Sequence, residues 1–244
     1  MLIENGFEFK GVMRLIKELS ETEKLSIIRP TVGKHLKTKF GIPIMHKVTE
    51  EMLDFSKLQP LNIQNLSQKH NNTDKLVLPF VYDERLEKYW KTPLKYIPLF
   101  QSAGAITTLD FSLNSSMDFP QYLYNVYKNR WLGCLCQDYG IITIPTIGWT
   151  TEEWDFLSFS GVEKGSIVVI STLGSKSDKK FFLRGYNEMV RWIEPPLIIV
   201  YGDMLPEMTG RFINFRYEDA FHKKESLCVQ EVLFDISPIF EVKE

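Results

Sequence analysis

Residues 105–139 read AITTLDFSLNSSMDFPQYLYNVYKNRWLGCLCQDY. Ala105 to Leu109 is a short run of strand formers, too brief for a helix. A polar turn with Asp110 and Ser112 follows. Asp118 is placed to cap a long helix, with Gln121 three residues on as in a capping box and Pro120 tolerated in the first turn. Leu123, Tyr127, Trp131 and Cys134 then recur on one helical stripe. Gly140 closes the helix. The stretch reads as strand, loop and helix.

The chain beyond it repeats this plan. Ile141 to Ile147 is a buried strand ending at Gly148 and Trp149, and Thr150 and Thr151 are placed to cap a short helix through Asp155. Ser166 to Thr172, SIVVIST, is the clearest buried strand. A small polar loop leads to a helix over 178–193, with Phe182, Tyr186, Met189 and Ile193 on one face. Pro195 and Pro196 end that helix. Leu197 to Tyr201 is another apolar strand, closed by Gly202 and Asp203. Arg211 to Tyr217 and Val229 to Phe234 are weaker strands.

Upstream, Leu76 to Tyr82 reads as a strand with an irregularity at Pro79. A short helix over 84–91 is stopped by Pro93. The pattern is less regular before residue 75. Phe9 to Leu19 and Val48 to Leu58 read as short amphipathic helices, and Gly41 to Met45 as a short strand or apolar turn. Gln59 to Lys75 is rich in Asn and Gln and reads as a connector. The expected division is an N-terminal helical and basic appendage, 1–75, and an α/β domain, 76–244.

The strands are continuous apolar runs, which means both faces are covered. They recur about every 25 to 35 residues with helices between, the spacing of βα units in a mostly parallel sheet. Two architectures fit: a TIM-barrel-like fold, complete or truncated, and an open doubly wound α/β sheet. The number of strands favours the barrel.

Composition bounds the function. Of 244 residues, 44% are hydrophobic and 25% charged, which is ordinary for a globular protein. A net charge of -2 provides no general field for nucleic acid or an anionic membrane. One segment is locally basic: Arg29, Lys34, Lys37, Lys39 and Lys47 fall together with no acidic residue among them. It is either a solvated face or an arm that contacts phosphates. Three cysteines, Cys134, Cys136 and Cys228, form no disulfide framework. Cys134 and Cys136 sit about 200° apart on a helix, so they read as core thiols and not as joint metal ligands. The four histidines have no ligand spacing, and no metal is expected. The first ten residues lack a signal-peptide pattern, and no apolar run reaches the roughly 20 residues of a membrane span. A cytoplasmic protein is expected.

Both architectures place ligands at the carboxyl ends of the strands. That rule selects Asp110, Ser112, Trp149, Ser171, Thr172, Gly174, Lys176 and Asp203. A carboxylate directly after an apolar strand is costly to bury alone, so Asp110 is read as a general base or ligand contact, or as a partner of its own turn's amides. Asp203 is read as a second catalytic carboxylate on the same rim, of use in glycosidic hydrolysis, or as a solvated turn residue. Ser171 to Asp178, STLGSKSD, precedes a helix and suits an anion through Ser171, Thr172, Gly174 and Lys176, although it has no dinucleotide or P-loop pattern. Arg130, among helix aromatics, reads as the partner of a carboxylate or as a contact for an anionic ligand. Trp149 reads as a stacking platform or a packed rim aromatic.

Five stretches carry a likeness to a known family: KTPLKYIPLF, TTLDFSLNSSMDFPQYLYNVYKNRWLG, GIITIPTIGW, GVEKGSIVVISTLG and LIIVYGD. Between Trp90 and Gly202, about half the chain, the sequence resembles the domain of unknown function 4417, a family of bacteria, archaea and their phages. Asp110, Ser112, Arg130, Trp149 and Thr172 match its recurring pattern. One position departs: the family pattern has an Arg before the Trp of GIITIPTIGW, where this chain has Gly148. The resemblance implies a phage or mobile-element origin and no particular reaction. The expected function is therefore processing of a small nucleotide-, phosphate- or sugar-like ligand at the strand-end rim, with cofactors undefined. The alternatives are a non-catalytic protein that binds a host or phage protein, and a nucleic-acid-binding accessory protein.

Overall fold

The computed structural model describes residues 20–33, 37–150, 153–173 and 178–220. The helix expected over 9–19, the strand expected over 229–234, and Lys34, Thr151, Gly174, Lys176 and Cys228 lie outside these residues.

Seven parallel strands follow one another in chain order. Strands β1 (Gln59–Asn62), β2 (Asn72–Leu78), β3 (Ala103–Thr107) and β4 (Thr143–Ile144) make one sheet. Strands β5 (Val168–Ser171), β6 (Ile198–Tyr201) and β7 (Phe212–Phe215) make a second. Pro145 has no N–H and interrupts the ladder after β4. The chain rejoins it at once. Val169 N donates to Pro145 O at 2.9 Å and Ile147 N to Val169 O at 2.8 Å, on either side of a parallel bridge from Thr146 to Val169. The order therefore runs β1 to β7 with no reversal among the described strands. A doubly wound sheet reverses its order at a switch point.

Helices separate the strands from β2 to β6, and one precedes β1. They are α1 (Glu21–Ile27), α2 (Asp83–Lys91), α3 (Pro93–Phe100), α4 (Phe119–Asp138), α5 (Asp155–Phe159) and α6 (Lys179–Ile193). Among the described residues, none is long and apolar enough to cross a membrane. The Asp178 carboxylate caps α6 by accepting from Phe181 N at 2.9 Å. The four residues foreseen on its face, Phe182, Tyr186, Met189 and Ile193, are all buried. Helix α4 ends in a Schellman arrangement: Gly140 sits at φ +76°, Ile141 N donates to Cys136 O and Gly140 N to Gln137 O.

The sheet is rolled. The Phe80 ring, just past β2, stacks on Tyr201 of β6 with centroids 4.8 Å apart. Four strand spacings in a flat sheet would hold β2 and β6 about 19 Å apart. One apolar cluster fills the concave side, with Leu76 and Leu78 of β2, Ala105 of β3, Ile144 of β4, Val169 of β5 and Ile199 and Tyr201 of β6. The closed barrel expected from the strand count is not found: no ladder joins β7 to β1 among the described residues. The 3-10 turn Tyr217–Ala220 packs against β1 in its place.

Several local expectations need correction. The connector read over 59–75 contains β1, a 3-10 turn at Ile63–Asn65 and the start of β2. Its Asn residues serve the backbone. Asn62 Oδ1 accepts from Gln64 N, and Asn72 Nδ2 donates to Ser67 O and His70 O, while Leu61, Ile63 and Leu66 are buried. The pairing of β1 with β2 thus crosses the boundary placed near residue 75. The helix read over 48–58 reduces to a 3-10 turn, Phe55–Lys57. Pro93 not only ends α2 but opens α3 as a first-turn proline. The helix after Trp149 begins at Asp155, where it was expected to end. Asp118 does stand at the N-cap of α4 but makes no side-chain cap bond, so the capping box is absent.

Candidate functional site

The turn after β3 is pinned by two helices. Asn129 Nδ2 of α4 donates to Leu109 O at 2.9 Å, and Asn125 Nδ2 donates to Ser112 O at 2.7 Å. From α2, Asp83 accepts from Ser112 N at 3.0 Å and from Ser112 Oγ at 2.9 Å. Asn125 and Asn129 lie one helical turn apart, so one face of α4 holds both carbonyls. Asp110 stands between these clamps.

Arg130 is 2% exposed and adjoins the same turn. Its Nε donates to Ser160 O at 3.0 Å, Nη1 to Thr146 O at 3.2 Å and to Asn129 Oδ1, and Nη2 to Ser158 O. The expected carboxylate partner is not there: among the described residues, none pairs with this guanidinium. Burial pulls its pKa down to about 10, so it remains charged at neutral pH. The result is a buried cation compensated by backbone dipoles.

Asp110, Asn125, Asn129, Arg130, Thr146 and Ser158 line one small pocket, with Phe111, Leu113, Val126 and Gly148 completing its wall. Its volume is about 10 Å³, room for a single water. Asp110 is partly open to the pocket and otherwise enclosed by protein. That enclosure, and then the negative charge of Asp83, push its carboxyl up from 3.8 to about 7. Near pH 7 such a carboxyl is divided between its two forms and can take or give a proton. Among the described residues its side chain has no hydrogen-bond partner to fix either form.

The model of a protein family, described as Domain of unknown function (DUF4417), matches residues 35–218. The chain belongs to the DUF4417 family. Two curated phage proteins are similar. The Gene 1 protein of Mycobacterium phage L5 is 37% identical over 128 residues, 51% of this chain and 56% of the relative. The Gene 1 protein of Mycobacterium phage D29 is 36% identical over 126 residues, 50% of this chain and 47% of the relative. The chain spans about half the length of these curated relatives. No solved structure matches it. The DUF4417 match includes every residue of the pocket.

The other strand-end residues of this DUF4417 chain do not line that pocket. Asp203 is exposed on the turn after β6 and is absent from the pocket wall. Trp149 packs against α6: its Nε1 donates to Phe182 O at 3.2 Å, and a Cβ on Gly185 would lie 2.1 Å from its Cδ1. Thr172 is buried, with N and Oγ1 both donating to Tyr201 O. Ser171 Oγ accepts from Leu173 N. Arg29 turns inward: its guanidinium lies 3.7 Å from the Trp90 ring centroid and donates to Trp90 O at 2.8 Å. Lys37 and Lys39 are exposed.

Sequence reading missed Asp83, Asn125, Asn129 and Ser158. One signal was present, since Asn125 and Asn129 are amides at i and i+4 of the same helix. A related group lies beside the pocket. The Tyr122 hydroxyl is 2.5 Å from Ser158 Oγ, and the buried Asp155 pairs with Arg184 at 2.6 Å.

Proposed function

We propose that this phage-type DUF4417 protein processes a small anionic ligand of nucleotide or phosphorylated-sugar class, with Asp110 as general base. The observation that carries the reading is the Asp110 carboxyl, held near pH 7 at the wall of a pocket that takes one water. A base of that pKa beside a single water site suits activation of the water for attack on a ligand at the mouth. Only the attacking water fits inside; the ligand sits outside, toward Leu113 and Gly148. Arg130, which pairs with no carboxylate among the described residues, lines the same pocket and is the cation available to an anionic ligand. Asp83, Asn125 and Asn129 act through the turn by fixing where Asp110 stands. The strand order and the rolled sheet support treating the fold as an unclosed relative of the (β/α) barrel, in which strand carboxyl ends carry the chemistry.

The test is hydrolysis of a panel of phosphorylated nucleosides and sugars by the wild type and by Asp110→Asn. The expected result is product release by the wild type that rises with pH through about 7 and falls at least about 100-fold in the variant. Ligand binding and turnover both intact in Asp110→Asn would overturn the reading.

A further inference from the structure

A second group of unsatisfied polar atoms lies on the concave side of the rolled sheet, apart from the Asp110 pocket. The Tyr201 hydroxyl and Thr107 Oγ1 are buried and, among the described residues, have no hydrogen-bond partner. Their residues are 0% and 1% exposed. Thr107 is beside Ile144 in the β3–β4 register and two residues from Ala105, and both neighbours belong to the interior cluster that contains Tyr201. Both hydroxyls therefore face one interior, at the carboxyl ends of β3 and β6. A buried hydroxyl without a partner costs about 1–3 kcal/mol, so two in one apolar interior need an explanation.

The surroundings define what would satisfy them. Tyr201 is stacked on Phe80 at an interplanar angle of 16°, and its ring centroid is 5.9 Å from that of Tyr217. Flat aromatic walls select a planar ring. Phe80 is partly exposed, lies beyond the end of β2 and packs against the interior cluster from its edge. Burial raises the Tyr201 pKa, Tyr217 adds to the rise, and the nearby exposed carboxylates of Glu218 and Asp219 contribute last. An anionic group is disfavoured there. An uncharged ring with hydrogen-bonding edges is the chemistry that fits.

We propose that Phe80, Thr107, Tyr201 and Tyr217 form a binding site for the base of a nucleoside, which displaces Phe80, stacks on Tyr217 and turns its hydrogen-bonding edge to the Tyr201 and Thr107 hydroxyls. This does not depend on the role of Asp110. The experiment is a titration of the full chain with adenosine and with adenosine monophosphate, followed through the aromatic NMR signals of Tyr201 and through thermal unfolding. Tyr201→Phe and Thr107→Val are run in parallel. Adenosine is expected to shift the Tyr201 signals and to bind more tightly than the monophosphate, which the acidic rim repels. Tyr201→Phe is expected to weaken adenosine at least about tenfold without lowering the melting temperature of the free protein, because the lost hydroxyl had no partner. Three results would overturn the proposal: no change at Tyr201 with adenosine, equal or tighter binding of the monophosphate, or full adenosine affinity in both variants.

Discussion

Replacing Asp110 with Asn should make the protein more stable above neutral pH. The folded state holds this carboxyl near pH 7, against 3.8 for the ordinary group. Between those two values the folded chain binds a proton that the unfolded chain has released, so stability falls as pH rises. Below 3.8 both states are protonated and the penalty vanishes; above 7 it is complete. At about 1.4 kcal/mol for each tenfold change, the ceiling is about 4 kcal/mol. Asn is close in shape and never ionises. Urea unfolding of both proteins at pH 5 and pH 8 reads the difference, with the denaturant slopes compared to confirm that the unfolded states match. The variant should gain about 2–3 kcal/mol on the wild type between the two pH values. An advantage that is the same at pH 5 and pH 8, or a variant less stable at pH 8, would refute the reasoning.

Three further outcomes follow from the geometry. Arg130→Met should cost at least about 3 kcal/mol in urea unfolding, because Ser158 O, Ser160 O and Thr146 O lose their donor together; a loss below about 1 kcal/mol would mean that the carbonyls find other donors. Gly185→Ala should cost about 1–3 kcal/mol and change tryptophan emission, since the new methyl meets the Trp149 ring at 2.1 Å; unchanged emission and stability would contradict that packing. Arg29→Ala should destabilise by about 1–2 kcal/mol through the lost contacts with Trp90, while retention on heparin stays the same; a loss of retention with no loss of stability would restore the phosphate-contacting arm.

How much could be seen in the sequence depended on whether a residue's partner was near in the chain or implied by a pattern. Strands β5 and β6 and helix α6 were legible because apolar runs bounded by Gly and Pro leave few alternatives. The position of Asp110 just past a strand was legible because the apolar run before it ends in a polar turn. Strand β1 was not. Gln59, Pro60 and Asn62 hide a four-residue strand that is defined by its pairing with β2. The surroundings of Asp110 were hidden for a similar reason. Asp83 reaches Ser112 across 29 residues, and Asn129 reaches a carbonyl 20 residues away. Arg130 was read as the partner of a carboxylate or as a contact for an anionic ligand; it is held by carbonyls and the Asn129 amide oxygen, and a buried guanidinium satisfied that way has the same sequence signature as one paired with a carboxylate. Trp149 was placed at a strand end, yet its contacts with Phe182 and Gly185, 33 or more residues on, are what show that its ring is packed against α6.

The measurement closest to the central claim is a carbon-detected NMR titration of the Asp110 side-chain carboxyl in the folded protein. The pocket geometry predicts a midpoint near 7, lowered in Asp83→Asn as the neighbouring charge is removed. A midpoint near 3.8, the value of an ordinary aspartate, would show that Asp110 is an open turn residue and would contradict the account.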